Sequence, residues 1–314
     1  MSFYYTIYFE KEGIRVVLKN FDEMVEKVRG LSTKKTVALV AAEDRHSLEA
    51  VLNAEREGIV RPLLVGDEEK IRGLLKDLNV TKEYEIFNEP DSNKAAYKAV
   101  ELVRENKADF LMKGKIETAG ILKAVVDKEK GLGQGRLMSH FAIIELPTYH
   151  KLLVITDGGM VMYPDLDQKK EIINNAVDTL LKLGYERPKL GVLAAIEKVN
   201  PKMPETVDAG KLKDMYLEGQ IENCILEGPI SYDLAIHEEA AKIKAYESEV
   251  AGDADALIVP DITTGNGVAK ALVYSAKGKM AGIIVGAKVP IILTSRGSSA
   301  EEKFLSLALA AATS

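Results

Sequence analysis

Residues 255–304 read DALIVPDITTGNGVAKALVYSAKGKMAGIIVGAKVPIILTSRGSSAEEKF, and this stretch decides the fold of the chain. It contains two short apolar runs, Ala256–Val259 and Pro290–Leu293, each flanked by turn residues, which is typical of buried parallel strands. Each run leads into a loop of small residues, 263–267 and 295–299, and then into a helix. Because open α/β sheets bind ligands where parallel strands end, we expect a ligand at these loops.

The second loop has the features of an anion site. The helix that follows it offers free N–H groups and a positive dipole end, and Arg296 adds a planar set of donors that suits phosphate. The same loop also fits a plain helix start, because capping boxes have the pattern S-x-x-E. Two pairs match that pattern: Ser298 with Glu301, and Ser299 with Glu302. Both interpretations stay open, and Arg296, which a cap does not need, favours phosphate.

Upstream of this stretch, short apolar runs alternate with helical patterns. The alternation predicts βαβ units and a mostly parallel sheet, an α/β fold. The expected strands are Thr36–Ala41, Pro62–Val65, Tyr84–Phe87, Ala108–Met112, Ala142–Leu146, Leu152–Thr156, Leu190–Ala194 and Cys224–Leu226. The expected helices are Phe21–Arg29, Ser47–Glu57, Glu68–Leu78, Asp91–Glu105, Thr118–Asp127, Asp167–Leu183, Asp208–Glu218 and Asp233–Ala245.

The length of 314 residues predicts two domains, since a domain has roughly 150 residues. No long linker or repeat divides the pattern, so we place the boundary at a crossing point near Ala142–Leu146. The first domain is expected over residues 19–141 and the second over residues 142–296. Residues 1–18 lack a helical period and read as a leader, an extension or an edge strand.

Composition excludes several classes of protein. A net charge of -6 argues against a broad nucleic-acid surface. The single cysteine, Cys224, excludes an internal disulfide and fits a reducing cytoplasm, and we expect it to be a core residue rather than a reactive thiol. No apolar run approaches the roughly 20 residues that span a bilayer, so no membrane partner is expected.

Lysines cluster at one predicted strand end. Lys113, Gly114 and Lys115 close the strand, and Lys123 lies on the next predicted helix. Lysines at such a junction can bind phosphate. They can equally belong to a solvated loop and an exposed helix face, as most lysines do.

Common catalytic patterns are absent. No G-x-x-x-x-G-K-[ST] occurs, and the glycine-rich runs 131–136 and 265–270 both fail G-x-G-x-x-G at its last position. The four histidines have no metal-ligand spacing, and there is no G-x-S-x-G elbow. These absences weaken a dehydrogenase, kinase or hydrolase interpretation, and we expect no metal site.

Several runs together resemble one enzyme family. They are Leu111-Met112-Lys113-Gly114, Leu137-x-Ser139-His140, Ile155-Thr156-Asp157, Pro164-Asp165-Leu166, Gly228-Pro229-Ile230-x-x-Asp233, Pro260-Asp261-Ile262-x-x-Gly265-Asn266, Lys270-x-Leu272-Val273-Tyr274 and residues 281–296. Over about residues 19–314 the chain resembles the phosphate acetyl/butyryltransferases, more closely the butyryltransferase branch.

The resemblance implies reversible acyl transfer between coenzyme A and inorganic phosphate, with coenzyme A as a substrate and no cofactor required. It implies an isocitrate/isopropylmalate dehydrogenase-like fold, two-domain and three-layer α/β/α, in a homodimer, with residues 297–314 packing back on the first domain. The acyl group is expected to be short, butyryl-like or branched. The alternatives are a phosphate acetyltransferase, an acyl-carrier-protein-linked phosphate acyltransferase, a metal- and NAD-dependent dehydrogenase and a catalytically silent coenzyme A-binding protein.

The resemblance also implies which residues form the site. Ser295 and Arg296 match a pair that contacts phosphate or coenzyme A. Glu302 and Lys123 stand where the acetyltransferase branch has an aspartate base and an arginine, and these departures fit a butyryltransferase better. The expected substrate-binding residues are Lys113, Gly114, Lys123, Ser139, Gly265, Asn266, Lys270 and Ser299.

Overall fold

The computed structural model describes residues 17–295 and 297–314, and Arg296 and residues 1–16 lie outside these ranges. The described strands are β1 (Lys35–Val40), β2 (Val60–Gly66), β3 (Ile86–Asn88), β4 (Phe110–Lys113), β5 (Ser139–Glu145), β6 (Leu153–Thr156), β7 (Lys189–Leu193), β8 (Ile225–Ile230), β9 (Ala256–Ile258), β10 (Lys279–Val285) and β11 (Ile291–Ile292). The described helices are α1 (Phe21–Arg29), α2 (Arg45–Arg56), α3 (Glu68–Asp77), α4 (Ser92–Arg104), α5 (Thr118–Val125), α6 (Leu166–Lys182), α7 (Pro204–Leu217), α8 (Tyr232–Ile236), α9 (Glu238–Ile243), α10 (Ile262–Lys270) and α11 (Ala300–Thr313). The fold is thus mixed α/β.

These strands form one continuous sheet in the order β3-β2-β1-β4-β11-β10-β5-β6-β9-β7-β8. Both ends of the sheet are parallel, as the sequence predicts. The middle is antiparallel, because β10 runs against β11 and β5, and β5 runs against β6. The strands from β3 to β11 in this order therefore run opposite to the strands from β6 to β8. The carboxyl ends of these two sets of strands lie at opposite edges of the sheet.

Helices cover both faces of the sheet. On the first face, α1, α2, α3, α6, α7 and α11 pack on a single hydrophobic core that reaches from one end of the sheet to the other. On the second face the core is divided, since α4 and α5 cover one cluster and α8, α9 and α10 cover another. The central strands of the second face, around His140 and Gly282, lie between these two clusters.

The C-terminal helix α11 joins the two parts of the chain. It packs against α1, α2, β10 and α6, and its side chains from Leu307 to Ala311 are almost completely buried. Ser306 also accepts a hydrogen bond from the backbone N–H of Gly282 at 3.0 Å. The boundary expected near residue 142 falls inside β5, and the division into two domains stays a prediction.

Several expected elements differ in the structure. The helix expected over Asp233–Ala245 is two helices, because His237 has extended backbone and its Nδ1 accepts a hydrogen bond from the N–H of Ala240, starting a new helix. α7 begins four residues earlier than expected, with Pro204 in its first turn. β10 was not expected as a strand. Pro290–Leu293 shortens to β11, which is parallel to β4 but antiparallel to β10.

Two expectations at the level of single residues are resolved. Cys224 is buried, and burial raises the pKa of its thiol to about 11, so the core interpretation is confirmed. Leu18, the last residue of the segment that we interpreted as a leader, an extension or an edge strand, packs in the core, and its carbonyl accepts a hydrogen bond from the N–H of Leu152 at 3.0 Å. The folded part therefore includes residue 18.

Candidate active site

The carboxyl ends of β1, β4 and β11 meet at one edge of the sheet. β4 lies between the other two and is parallel to both. The helix that follows β4 covers the second face, whereas the helices that follow β1 and β11 cover the first face. Such a reversal is a topological switch point, where open α/β sheets bind ligands.

Three helices begin at this edge. Asp44 caps α2, Glu117 precedes α5 and Ser299 caps α11. The first turn of each helix presents N–H groups and the positive end of a helix dipole. The start of α11, which is capped by a neutral hydroxyl, favours a bound anion, whereas the starts of α2 and α5 carry the carboxylate residues Asp44 and Glu117.

Lys113 and Gly114 lie at the centre of this edge. Lys113 is the last residue of β4, pairs with Val40 and is half-buried. Gly114 is buried, and a Cβ on it would lie 2.4 Å from the carbonyl oxygen of Ala41. Glycine is thus required here by the close approach of two loops, and this brings Lys113 beside the start of α2.

The loop after β11 reaches the same edge. Ser295 is exposed, and its Oγ accepts a hydrogen bond from the N–H of Gly297 at 3.2 Å. Arg296, the residue that favoured phosphate, lies outside the described residues. Because Ile292 pairs with Met112, the loop that carries Ser295 begins at the edge where Lys113 ends β4.

Ser299 and Glu302 start α11. The Oγ of Ser299 accepts the N–H of Glu302 at 3.0 Å, so Ser299 and not Ser298 is the N-cap. The carboxylate of Glu302 accepts a hydrogen bond from the hydroxyl of Ser298 at 2.7 Å. Glu302 thus has a structural partner in the loop, and its role as a base stays a prediction.

A second group of expected residues lies on α10, at the opposite edge. Residues 263–267 are helical rather than a loop, because the carboxylate of Asp261 caps α10 by accepting the N–H of Thr264 at 2.8 Å. Gly265 is buried where a Cβ would lie 2.8 Å from the carbonyl oxygen of Asp157. Asn266 and Lys270 are exposed, and the amide of Asn266 donates to the carbonyl of Gly158 at 3.2 Å.

Two further expected residues lie apart from both groups. Ser139 is completely buried, and its Oγ accepts a hydrogen bond from the amide of Asn175 on α6 at 2.9 Å. The side chain of Ser139 therefore lies on the first face of the sheet, opposite the face on which the core is divided. Lys123 is exposed on α5, the helix that follows Lys113.

The structure adds a polar centre that the sequence analysis did not single out. Asp157 is buried at the end of β6, and its carboxylate accepts backbone N–H groups of four residues. These are His140, Gly159, Met160 and Val161. The ring of His140 lies between Gly159 and Gly282, where a Cβ would come within 3.0 Å and 2.9 Å of its nitrogens. The one sequence signal was the Asp157-Gly158-Gly159 turn, since glycines permit such close contact.

Burial governs the electrostatics of these groups. Burial lowers the pKa of His140, and the nearby Asp157 opposes that shift only in part, so the imidazole is neutral at pH 7. Burial would raise the pKa of Asp44, but the hydrogen bonds from Ser47 outweigh it and the pKa is lowered. Among the described residues, no group of histidine, cysteine, aspartate and glutamate side chains is arranged to hold a metal ion.

The model of the family described as phosphate acetyl/butaryl transferase matches residues 83–311. The chain belongs to this family. Phosphate butyryltransferase of Clostridium acetobutylicum is 44% identical over 296 residues, 94% of this chain and 98% of that protein. Phosphate acetyltransferase of Thermotoga maritima is 44% identical over 291 residues, 92% of this chain and 98% of that protein. The crystal structure of a branched-chain phosphotransacylase from Enterococcus faecalis V583 has a TM-score of 0.79 and 34% identity, covering 89% of this chain and 98% of that one.

Membership of the phosphate acetyl/butaryl transferase family confirms the resemblance and narrows the alternatives. Both of these relatives, each matched over more than nine-tenths of this chain, are transferases, which argues against the dehydrogenase. The butyryltransferase and the acetyltransferase are equally identical to this chain, so identity alone does not choose the acyl group. No helix among the described residues has the length and apolarity to cross a membrane.

Proposed function

We propose that this phosphate acyltransferase transfers a short acyl group, butyryl-like or branched, between coenzyme A and inorganic phosphate. The observation that carries the proposal is the edge where β1, β4 and β11 end. At that edge lie Lys113, the start of the Ser295 loop and the amino end of α11, a combination that suits phosphate. The likeness to the butyryltransferase and to the branched-chain phosphotransacylase supports the acyl class.

The reaction needs positioning and charge stabilisation. In one direction the thiol of coenzyme A loses its proton and its sulfur attacks the carbonyl carbon of the acyl phosphate. The bond between that carbon and the phosphate oxygen then breaks, and phosphate leaves with the electron pair. Holding both substrates together removes much of the entropic part of the barrier. Cations and N–H groups stabilise the negative charge on the carbonyl and on the leaving phosphate.

Within this scheme each expected residue has a role. Ser295 and Arg296 bind phosphate, with Lys113 or Lys123 as supporting cations. Glu302 takes the thiol proton, as a carboxylate can when it lies within hydrogen-bond reach. The remaining proposed contacts to substrate are Gly114, Gly265, Asn266, Lys270 and Ser299. Ser139, which we also expected to bind substrate, is buried against Asn175 and is not part of the proposal.

Further properties belong to the proposal. The protein acts in the cytoplasm as a homodimer, and it requires no cofactor, since coenzyme A is a substrate. Its two domains, residues 19–141 with 297–314 and residues 142–296, are arranged as in isocitrate and isopropylmalate dehydrogenases. The divided core on the second face supports a cleft between them, and coenzyme A enters there.

The test is phosphate-dependent release of coenzyme A from acetyl-, butyryl-, isobutyryl- and isovaleryl-CoA. We expect the largest kcat/KM with butyryl-CoA or a branched acyl-CoA. Arg296→Ala should lower kcat/KM about a hundredfold, the effect of losing one well-placed charge-stabilising donor. Release that does not depend on phosphate would contradict the proposal.

The acetyltransferase is the second candidate, favoured by the relative from Thermotoga maritima. The same assay distinguishes it, because a preference for acetyl-CoA over every longer thioester would select it. A catalytically silent protein would bind coenzyme A, as measured by calorimetry, and release none from any thioester.

A further inference from the structure

His140 is an imidazole on the second face of the sheet that the proposed reaction does not yet use. Its Nδ1 is enclosed by protein and has no hydrogen-bond partner among the described residues. Within the same ranges Nε2 forms no hydrogen bond either, but it is not enclosed, and the residue is partly exposed. The ring therefore presents one unpartnered nitrogen, Nε2, to the space above the sheet.

The imidazole is held firmly in place. The backbone N–H of His140 donates to the carboxylate of Asp157 at 2.8 Å, and its carbonyl accepts the hydroxyl of Thr156 at 2.8 Å. The ring occupies the space that side chains at Gly159 and Gly282 would fill, since a Cβ on Gly282 would lie 2.9 Å from Nε2. Such a fixed polar group needs little reorganisation to bind a substrate atom.

Strand register relates this ring to the loop that carries Ser295. β10 runs antiparallel to β11, with Ile284 opposite Ile291. Continuing this register by two residues brings Gly282 level with Leu293, which is two residues before Ser295. Because neighbouring strands lie about 4.8 Å apart, the Nε2 above Gly282 is about one strand away from the start of that loop.

The other side of the ring is bordered by α10. The amide of Asn266 donates to the carbonyl of Gly158 at 3.2 Å, and the next residue, Gly159, contacts the ring. On the sheet itself, the neighbour of Gly282 on this face is Ala142, so no large side chain covers the surface beside Nε2. His140 thus lies between the Ser295 loop and α10, the two places where substrate contacts are proposed.

The surroundings of the ring also select its tautomer. Burial lowers the pKa of His140, and Asp157 opposes that shift only in part, so the ring is neutral at pH 7 and carries one N–H. The enclosed Nδ1 has no acceptor beside it, and an unpartnered buried N–H is rarer in proteins than an unpartnered buried acceptor. The proton is therefore assigned to Nε2, which makes the accessible nitrogen a neutral hydrogen-bond donor.

We propose that His140 is a catalytic residue whose Nε2–H donates a hydrogen bond to the carbonyl oxygen of the acyl group. This inference rests on the proposed function for the identity of the substrate. When the sulfur of coenzyme A adds to the carbonyl carbon, an electron pair of the C=O bond moves onto this oxygen, and the donor stabilises the negative charge. The pair returns to the carbon as the bond to the phosphate oxygen breaks, and His140 keeps its proton throughout.

The kinetic experiment compares His140→Gln and His140→Asn in the full chain, with butyryl-CoA and phosphate. A glutamine amide can place an N–H near the position of Nε2, whereas the shorter asparagine amide reaches only about as far as Nδ1. His140→Asn should lower kcat about a hundredfold, as for the loss of one oxyanion donor, with both KM values within about threefold of the parent. His140→Gln should keep kcat within about tenfold of the parent.

The control is His150→Asn, at an exposed histidine whose ring contacts Asp253 at 2.9 Å, and it should change neither kcat nor KM. A kcat for His140→Asn that matches the parent would overturn the proposal. So would an equal loss in the glutamine and asparagine variants, because a proton-transferring imidazole is replaced by neither amide.

A spectroscopic measurement separates this inference from the proposed function. Butyryl-CoA labelled with ¹³C at its carbonyl is bound without phosphate, so no turnover is needed. The carbonyl resonance should move downfield on binding to the parent and to His140→Gln, and move less in His140→Asn. An equal shift in the asparagine variant, or no shift in the parent, would overturn the inference, whereas failure of the proposed function alone would leave the shift and abolish phosphate-dependent release. The thermal midpoint shows whether each variant is folded, and His140→Ser replaces His140→Asn if the latter is not.

Discussion

At the scale of single residues, the structure gives one expected site residue a packing role that the sequence did not predict. Gly114 was expected as a substrate-binding residue, but its immediate role is to let the β4 loop pass the carbonyl of Ala41. Asp157 and His140 lie in runs that carried the resemblance, yet neither was expected in the site. Their importance depends on contacts between β5, β6 and β10 that are distant in sequence, and no local pattern reveals such contacts.

Gly114→Ala should destabilise the protein. The new Cβ would lie 2.4 Å and 2.7 Å from two backbone carbonyl oxygens, of Ala41 and Val40, so backbone must move. We expect a loss of about 2–3 kcal/mol in the free energy of unfolding, as for other overpacked sites, measured by urea denaturation. The shift should also displace Lys113 and lower acyl transfer.

Gly267→Ala is the matched control for this prediction. Gly267 lies in α10, and its added Cβ would meet no atom within 4 Å. Alanine favours a helix over glycine by up to about 1 kcal/mol. The control should therefore be unchanged or more stable, and a similar loss in both variants would show that crowding is not the cause.

At the scale of helices and strands, local patterns predicted most parallel strands and missed elements that depend on one unusual residue. Ala256–Val259 and Leu152–Thr156 are apolar runs, and both appear as strands within one residue of the expected bounds. β10 contains Ala281-Gly282, which are weak strand formers, and packing against β5 overrides that preference. His237 ends one helix and starts another, an effect that the apolar period of residues 233–245 does not show.

The start of α7 was predictable in principle. Pro204 lies in its first turn, where proline is favoured because its missing N–H has no partner in the helix anyway. By contrast, the loop expected at residues 263–267 looked convincing because of its two glycines, yet capping by Asp261 extends the helix through it. Capping signals and glycine content gave opposite predictions here, and the cap prevailed.

The amino ends of β6, β7 and β9 are held by a charged cluster around Asp253. Its carboxylate contacts the Nζ of Lys151 at 2.7 Å, the Nζ of Lys189 at 2.6 Å and the Nε2 of His150 at 2.9 Å. Burial would raise the pKa of Asp253, but the hydrogen bonds from these three side chains hold it well below its usual value. A carboxyl whose pKa is lower in the folded state stabilises the fold above its unfolded pKa of about 3.9, and that stability is lost as the pH falls further.

Asp253→Asn should therefore reduce stability at pH 7 by about 2 kcal/mol, typical of hydrogen bonds to a charged group. Between pH 5 and pH 2, the variant should also lose less stability than the parent does. Urea denaturation across this range measures both effects. Asp214→Asn, at an exposed position of α7, is the control, and an Asp253 variant with the acid sensitivity of the parent would refute the argument.

At the scale of the whole molecule, the sequence predicted two parallel α/β parts but not how they are joined. The two parts are joined by β10 and β11, which lie between β4 and β5 in the sheet. About 150 residues of sequence separate β10 and β11 from these two neighbours. Contacts between strands so far apart in sequence produce no local sequence pattern that would predict them. The same insertion brings the start of the loop after β11 to the end of β4, and only the family resemblance gave reason to expect Ser295 and Lys113 in one site.

Because β10, β11 and α11 connect the two parts of the chain, we expect the described fold to unfold in one step. The core of the first face runs the whole length of the sheet, and α11 packs on α1, α2 and α6, so neither part can lose its structure without exposing the other. Far-ultraviolet circular dichroism and the fluorescence of the 12 tyrosines should give coincident urea transitions, although chains of this length often unfold through intermediates. Phosphate at saturating concentration should shift both probes together, because a ligand that binds only the native state stabilises the whole cooperative unit. Two separated transitions, with phosphate moving only one, would show that the continuous core does not couple the two halves.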